Sequence, residues 1–104
     1  MRRGQIWWAG LPQPVGSRPI VILTRDSVLP SINGIVVTIV TRTIRQLPTE
    51  VVLGRRQGLP ARCVANLDNI LTVPRRRLIR LMGACDARKV EELNGALKTA
   101  LDVP

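Results

Sequence analysis

Histidine is absent from this 104-residue sequence, and phenylalanine and tyrosine are absent too. Without an imidazole, a Ser-His-Asp triad, a Cys-His pair, a two-histidine ribonuclease mechanism and histidine-containing metal sites are all excluded. The only two cysteines, Cys63 and Cys85, lack the paired spacing of a zinc site. We therefore expect free, mostly buried thiols, and neither a metal nor another cofactor.

Long apolar runs are also missing. A membrane span requires roughly 18 to 20 uncharged residues, and here charged residues such as Arg25 and Asp26 closely follow the run Ile20–Leu23. The pair Trp7–Trp8 follows the basic N-terminus too closely to leave room for the apolar centre of a signal peptide. These features predict a cytoplasmic protein without a membrane partner.

Acidic residues are scarce where basic ones are concentrated. The chain has 16 Lys+Arg against 7 Asp+Glu, a net charge of +9, and 45% hydrophobic residues, enough for a folded core. Residues 1–80 hold 13 of the cations and three acids, a balance of +10. Fourteen of the sixteen cations are Arg, whose planar fork matches phosphate. The pattern favours a nucleic acid partner; the alternative is Arg-rich composition inherited from a GC-rich genome.

Short runs rich in β-branched residues dominate the first three quarters of the chain, with Gly, Pro, Asn and Ser between them. Strands this short and closely spaced favour a small barrel, in a mainly β (α+β) fold. We expect the loop Gly54–Pro60 to be the most flexible interior stretch. The predicted strands are Gln5–Trp8, Pro19–Thr24, Gly34–Thr41, Thr49–Leu53, Cys63–Asn66 and Ile70–Val73, with Leu78–Met82 as a strand or a turn of helix.

The C-terminal segment has a helical period instead. Asp86 is a good N-cap, and apolar residues then recur at intervals of 3, 4 and 4, which predicts a helix over about 87–101. One domain over 1–104 follows, with the barrel over about 1–83. The apolar stripe packs against the barrel or forms a subunit interface; its members are Val90, Leu93, Leu97 and Leu101.

Two strand ends combine charged and hydroxyl side chains. The segment Gly16-Ser17-Arg18-Pro19 places Arg18 at the start of a buried strand, where an anchored, solvent-facing guanidinium suits anion binding; the alternative is a structural turn. The segment Thr41-Arg42-Thr43-Ile44-Arg45 ends another strand and could surround a phosphate, or is simply a solvated strand end. The pair Asp68-Asn69 places a lone carboxylate in basic surroundings, and its simplest role is a salt bridge.

The order and spacing of these segments resemble the MazF/PemK toxin family over nearly the whole chain. The resemblance implies an SH3-like barrel with a C-terminal helix, a homodimer, and a metal-independent endoribonuclease that cuts single-stranded mRNA at short motifs. Transfer or ribosomal RNA is a further candidate substrate. It also implies a cognate acidic antitoxin, with DNA contacted only through the antitoxin complex. The matching segments are Arg3–Trp8, Gly16–Leu23, Val36–Thr43, Leu47–Val51, Asp68–Val73 and Leu78–Gly83.

Carried over by position, the family's active-site Arg before Pro falls on Arg18, and its hydroxyl residue at the end of the third strand falls on Thr41. The acid that some members use falls on Asp68. Three features depart from the family's pattern: Gln5 replaces an acid, Leu71 stands where many members have Arg, and the loop 12–16 is short.

The absence of histidine is compatible with attack by the RNA's own 2′-hydroxyl on the adjacent phosphorus. Arg18 would neutralise phosphoryl charge, Thr41 would bind a phosphate oxygen, and Asp68 is the candidate proton acceptor. Because Phe and Tyr are missing, base stacking falls to Trp7 or to Arg, while Trp8 shares a strand face with Ile6 and is the better core candidate. The expected RNA-binding residues are Trp7, Ser17, Arg42, Thr43, Arg45, Asn69 and Thr72.

Two other functions fit the same sequence. A non-catalytic nucleic-acid-binding barrel needs only the +9 charge, and predicts affinity without strand scission. A degenerate toxin paralogue that acts through protein interaction is consistent with Leu71 and the short loop, and predicts tight protein binding without toxicity.

Overall fold

The computed structural model describes residues 1–104 as six strands followed by one helix. Every predicted strand region is present, and the fold is mainly β with a C-terminal helix. The elements are β1 Gln5–Ala9, β2 Arg18–Ile22, β3 Gly34–Thr41, β4 Glu50–Leu53, β5 Cys63–Pro74, β6 Leu78–Ala84 and α1 Ala87–Leu101, with short 3₁₀ turns at Arg55–Gln57 and Arg75–Arg77.

The six strands form one antiparallel sheet in the order β4-β5-β3-β2-β1-β6. The long strand β5 replaces the two short strands expected from the sequence. Its ladder with β3 pairs Ile39 with Asn66 but Thr38 with Ile70, so residues 67–69 form a bulge. This bulge interrupts the alternating pattern, which is why the sequence alone predicts two strands.

The sheet curls so that its two ends approach each other through a 3₁₀ turn rather than through strand pairing. Gly58 follows the turn at φ +90°, and a Cβ there would overlap the carbonyl oxygen of Met82 in β6. Gln57 is buried, and its Oε1 accepts a 2.8 Å hydrogen bond from the Gly54 amide. The loop Gly54–Pro60 therefore contains a hydrogen-bonded turn that packs against β6, and its expected flexibility stays a prediction.

Each face of the sheet has its own apolar core, because alternate strand residues point to opposite sides. The first core lies beneath α1 and includes Val21, Val40 and Leu93. The second core lies on the opposite face and includes Ile20, Ile39 and Val73. With both faces covered, the strand ends and the loops remain for binding.

The C-terminal helix begins at its predicted cap. The Asp86 Oδ1 accepts a 2.9 Å hydrogen bond from the Lys89 amide, which satisfies one of the free N–H groups of the first turn. Leu93 is 1% exposed and packs into the first core, whereas Leu101, at the end of the apolar stripe, is 53% exposed. No helix of the chain combines the length and apolar character needed to cross a membrane.

Candidate functional site

Arg18 and Thr41 lie on neighbouring strands. The β2–β3 ladder pairs Ile20 with Ile39, and continuing this antiparallel register by two residues puts Arg18 opposite Thr41. On its other side Arg18 pairs with Ala9 of β1. Directly opposite residues share a face of the sheet, with Cβ atoms about 5 Å apart. The fold thus brings together two residues that are 23 positions apart in sequence.

The Arg18 side chain is half-buried, and its Nε is buried without a hydrogen-bond partner. A buried guanidinium nitrogen without an acceptor is unfavourable, because protein donors lose their water on folding. No ion pair compensates the charge, since the chain's single salt bridge joins Lys89 to Glu92. An anionic ligand oxygen would satisfy this donor, which makes Arg18 a candidate anion-binding group.

The Thr41 hydroxyl is positioned by the loop that follows β3. Its Oγ1 accepts a 3.2 Å hydrogen bond from the Thr43 amide, which leaves the hydroxyl hydrogen free to donate. Glu50 holds the same loop, because its Oε1 accepts a 2.9 Å hydrogen bond from the Arg45 amide. The Thr41 hydroxyl oxygen therefore accepts from its own loop, and its hydrogen is available to donate to a ligand.

A cavity of about 250 Å³ opens beside Thr41. It is mostly apolar, and its walls include Trp8, Pro19, Cys63 and Arg42. Trp8 pairs with Pro19 across β1 and β2, and it is half-buried in the cavity wall. Trp8 belongs to neither apolar core, so its assignment as a core residue is wrong. Arg18 does not line this cavity, because its neighbour Pro19 pairs with Trp8 and alternate strand residues point to opposite faces of the sheet.

Trp7 has the opposite environment. It packs against the second core, and its Nε1 donates a 3.1 Å hydrogen bond to the Gln5 Oε1. Gln5 also accepts a 2.9 Å hydrogen bond from the Arg2 amide. The departure at Gln5 thus supplies a neutral acceptor that orders the N-terminus and the Trp7 ring, and the structure does not place Trp7 in the cavity beside Thr41.

Asp68 and Asn69 are exposed in the β5 bulge. The Thr49 hydroxyl donates a 2.6 Å hydrogen bond to the Asp68 Oδ2, and no salt bridge includes Asp68. Thr41 pairs with Val64, and Asp68 lies beyond Asn66 on the same strand. Since two strand positions already span about 7 Å, Asp68 is not in contact with Thr41 within this subunit.

The other predicted RNA-binding residues fall into two places. Ser17, Arg42, Thr43 and Arg45 are exposed around the same end of the sheet as Arg18 and Thr41. Thr72 is exposed opposite Val36, far along β5 from Val64. Its neighbour Leu71 packs against the second core. The structure therefore groups four of these residues with the pair and separates Thr72 from it.

Both cysteines are free thiols, as expected, with Cys63 buried and Cys85 half-buried. Burial raises the pKa of Cys63, and the positive charge of Arg42 partly opposes that rise. Burial also raises the pKa of Cys85 to about 11. The chain has no group of three or more His, Cys, Asp or Glu residues arranged to hold a metal ion.

Known proteins share both this sequence pattern and this fold. A model of the PemK-like, MazF-like toxin of type II toxin-antitoxin systems matches residues 2–101. A probable endoribonuclease MazF2 of Mycobacterium tuberculosis is 45% identical over 89 residues, which cover 81% of this chain and 85% of the relative.

Two solved structures superpose closely on the chain. The Mycobacterium tuberculosis toxin MazF-mt6 has a TM-score of 0.90 and 34% identity, covering 96% of this chain and 98% of that one. An endoribonuclease from a mycobacterial species in complex with its cognate antitoxin has a TM-score of 0.87 and 28% identity, covering 100% and 97%. The chain belongs to the PemK-like, MazF-like toxin family of type II toxin-antitoxin systems.

Proposed function

We propose that this protein is a toxin endoribonuclease that cuts single-stranded mRNA at short sequence motifs without a metal ion. The observation that carries the proposal is the Arg18–Thr41 pair, in which a buried guanidinium nitrogen has no protein acceptor. Relatives named endoribonucleases support the activity. The balance of +10 over residues 1–80 supports RNA as the ligand.

In the proposed reaction the RNA supplies its own nucleophile. The 2′-oxygen forms a bond to phosphorus, the bond from phosphorus to the 5′-oxygen breaks, and the products are a cyclic phosphate and a 5′-hydroxyl. Arg18 neutralises charge on the phosphoryl oxygens, and the Thr41 hydroxyl donates to one of them. Together they hold the phosphate in line with the attacking oxygen.

Proton transfer needs a separate assignment, because no carboxylate forms a hydrogen bond or an ion pair with Arg18 or Thr41. Water takes the proton from the 2′-hydroxyl, and water also supplies a proton to the departing 5′-oxygen. Asp68 stabilises the bulge through its hydrogen bond with Thr49. Asp68→Asn should then lower the melting temperature and leave kcat almost unchanged. A loss of kcat as large as that of Arg18→Ala would instead make Asp68 the general base.

A homodimer is the second part of the proposal. The strand β6 is at one end of the sheet, and it exposes Ile79 (63%) and Leu81 (50%). Burying such side chains between two copies removes apolar surface from water. Light scattering should give twice the monomer mass, and Leu81→Glu should lower it; an unchanged mass for the variant would place the interface elsewhere.

The third part is an acidic antitoxin that competes with RNA in the cytoplasm, where mRNA is available. A solved relative is described as bound to its cognate antitoxin, and the basic surface here attracts an acidic segment as readily as RNA. An acidic protein encoded beside this chain, titrated into a cleavage assay, should displace RNA as it inhibits cleavage. Inhibition with RNA still fully bound would show that the two sites are separate.

End-mapping of a defined RNA tests the proposed activity. Purified protein in EDTA should produce 5′-hydroxyl ends at one short motif, and Arg18→Ala should produce none. Binding without scission by the wild type would favour the non-catalytic barrel. Antitoxin binding with neither scission nor RNA affinity would favour a degenerate paralogue. Activity restored only by a divalent ion would contradict the metal-independent mechanism.

A further inference from the structure

The largest cavity of the molecule, about 640 Å³, lies away from the Arg18–Thr41 pair, between the 3₁₀ turn and the start of α1. We call it the cationic cleft. Five cations and two acids line it, a balance of +3, and only two of its eleven lining residues are hydrophobic. The cations are Arg55, Arg56, Arg62, Arg88 and Lys89.

Both acids of the cleft already have partners within the protein. The Asp86 carboxylate accepts from the Lys89 amide at the helix start. The Glu92 carboxylate forms the chain's single salt bridge, with Lys89 at 3.1 Å. The four guanidinium groups of the cleft have neither an ion pair nor a side-chain hydrogen bond, so their donors are available to a ligand.

The backbone beneath two of these arginines is fixed. Arg55 and Arg56 belong to the 3₁₀ turn, which the Gly54–Gln57 hydrogen bond closes. Gly58 packs directly on the backbone of Met82, so the turn lies against β6. Arginines that line one cleft repel one another, and an anion bound between them relieves that repulsion. The arrangement indicates a polyanion, because one small anion would not contact groups on both walls.

The cleft adjoins the cavity beside Thr41. Leu53 and Cys63 are paired across β4 and β5, and Leu53 lines the cleft while Cys63 lines the cavity. Arg62 precedes Val64, the residue opposite Thr41, by two positions, which is about 7 Å along a strand. A strand bound at Thr41 therefore reaches the cleft within a few nucleotides.

We propose that the cationic cleft binds the phosphates of RNA that flank the cut, and so extends the binding site beyond the cleavage motif. This inference rests on the proposed RNA cleavage. RNA fits better than an acidic peptide, because a peptide that folds on binding relies on apolar pockets and this cleft has almost none. With no aromatic residue in its walls, the cleft contacts the backbone and adds affinity without sequence preference.

The test compares a short RNA that covers only the cleavage motif with a longer one extended at both ends. In Arg55→Gln/Arg56→Gln, kcat/KM for the longer RNA should fall about tenfold or more, and kcat/KM for the short RNA should not change. The slope of log affinity against log salt for the longer RNA should shrink by about 1.4, at about 0.7 per lost phosphate contact. Arg62→Gln/Arg88→Gln, which removes the other two guanidinium groups of the cleft, should have the same effects.

The matched control is Arg25→Gln/Arg76→Gln, which removes the same charge from exposed positions outside both cavities. It should leave the difference in kcat/KM between the short and the longer RNA unchanged. Equal losses for short and long RNA, or none for either, would overturn the inference. So would a change in oligomeric mass, or weaker antitoxin inhibition with RNA cleavage unchanged.

Failure of the proposed function is distinguishable. If the wild type cuts neither RNA, the proposed cleavage activity is wrong. Binding of the longer RNA, measured by fluorescence anisotropy, then tests separately whether the cleft binds RNA. Equal affinity of the wild type and Arg55→Gln/Arg56→Gln would then overturn it.

Discussion

Two groups of arginines in this chain have the same charge and opposite uses. Arg3 and Arg75 turn inward: Arg3 donates to the Leu23 carbonyl and to Asn94, and Arg75 donates to the carbonyls of Leu29 and Ile32. The other group, at the Arg18 end of the sheet and in the cationic cleft, has no such acceptors. An arginine whose donors are satisfied by carbonyls stabilises the fold, whereas one without acceptors is available for phosphate. Net charge alone does not distinguish the two.

The largest expected effect is on Arg18. Arg18→Ala should reduce single-turnover cleavage by about 10³-fold or more, because the group that neutralises the phosphoryl oxygens is lost. The melting temperature and the dimer should not change. Stopped-flow cleavage of a fluorescent RNA measures the rate. A variant that cuts at the wild-type rate would move Arg18 into the structural group.

Thr41→Ala comes second. It should slow cleavage by about 10- to 100-fold, since one neutral hydrogen bond to the phosphate is lost while Arg18 stays in place. Thr41→Ser is the matched control, because it keeps the hydroxyl and should restore most of the rate. A serine variant as slow as the alanine variant would show that the methyl group matters rather than the hydroxyl.

Arg75→Ala tests the inward group. Its two carbonyl acceptors lose their donor, so the free energy of unfolding should fall by about 1–3 kcal/mol, while kcat/KM per folded molecule stays the same. Urea unfolding measures the first quantity and cleavage at low temperature the second. The neighbouring exposed Arg76→Ala should change neither. Lost activity with unchanged stability would place Arg75 in the RNA-binding group.

The smallest expected effect is the change that Arg42 makes to the pKa of Cys63. Arg42 partly opposes the burial that raises the pKa of Cys63, so Arg42→Gln should raise that pKa further. Removing the cation destabilises the thiolate, and ionisation of Cys63 then begins at a higher pH than in the parent protein. Thiolate absorbance in a Cys85→Ala background follows Cys63 alone. A pKa that falls or stays the same would show that Arg42 points away from the cavity.

Much of the fold follows from the sequence, because local signals agree with the final structure. The β-branched run Gly34–Thr41 and the helix from Asp86 are observed with the predicted bounds. The β5 bulge and the ordered turn at Gly54–Gly58 could not be predicted, since both depend on contacts with distant segments, such as that between Gly58 and Met82. Trp8 is similar: its place in a cavity wall depends on its pairing with Pro19.

The candidate site was only partly predictable. Motif order identified Arg18 and Thr41 as candidates, but their adjacency depends on the β2–β3 register. The sequence around Asp68 does not indicate that its carboxylate accepts a hydrogen bond from the Thr49 hydroxyl. The cationic cleft joins residues 52–62 to the start of α1, and no sequence window contains both. Sequence therefore predicts which residue types are present, and tertiary pairing decides which of them can act together.

The most direct test of the mechanism is a single 2′-deoxy substitution at the cut nucleotide of an otherwise unmodified RNA. If the RNA supplies the nucleophile and the protein only positions and neutralises the phosphate, cleavage at that bond should stop while binding is unchanged. The same substitution one nucleotide away should have little effect. Cleavage of the deoxy bond at the unmodified rate would contradict the account, because the attacking oxygen would then come from water or from the protein.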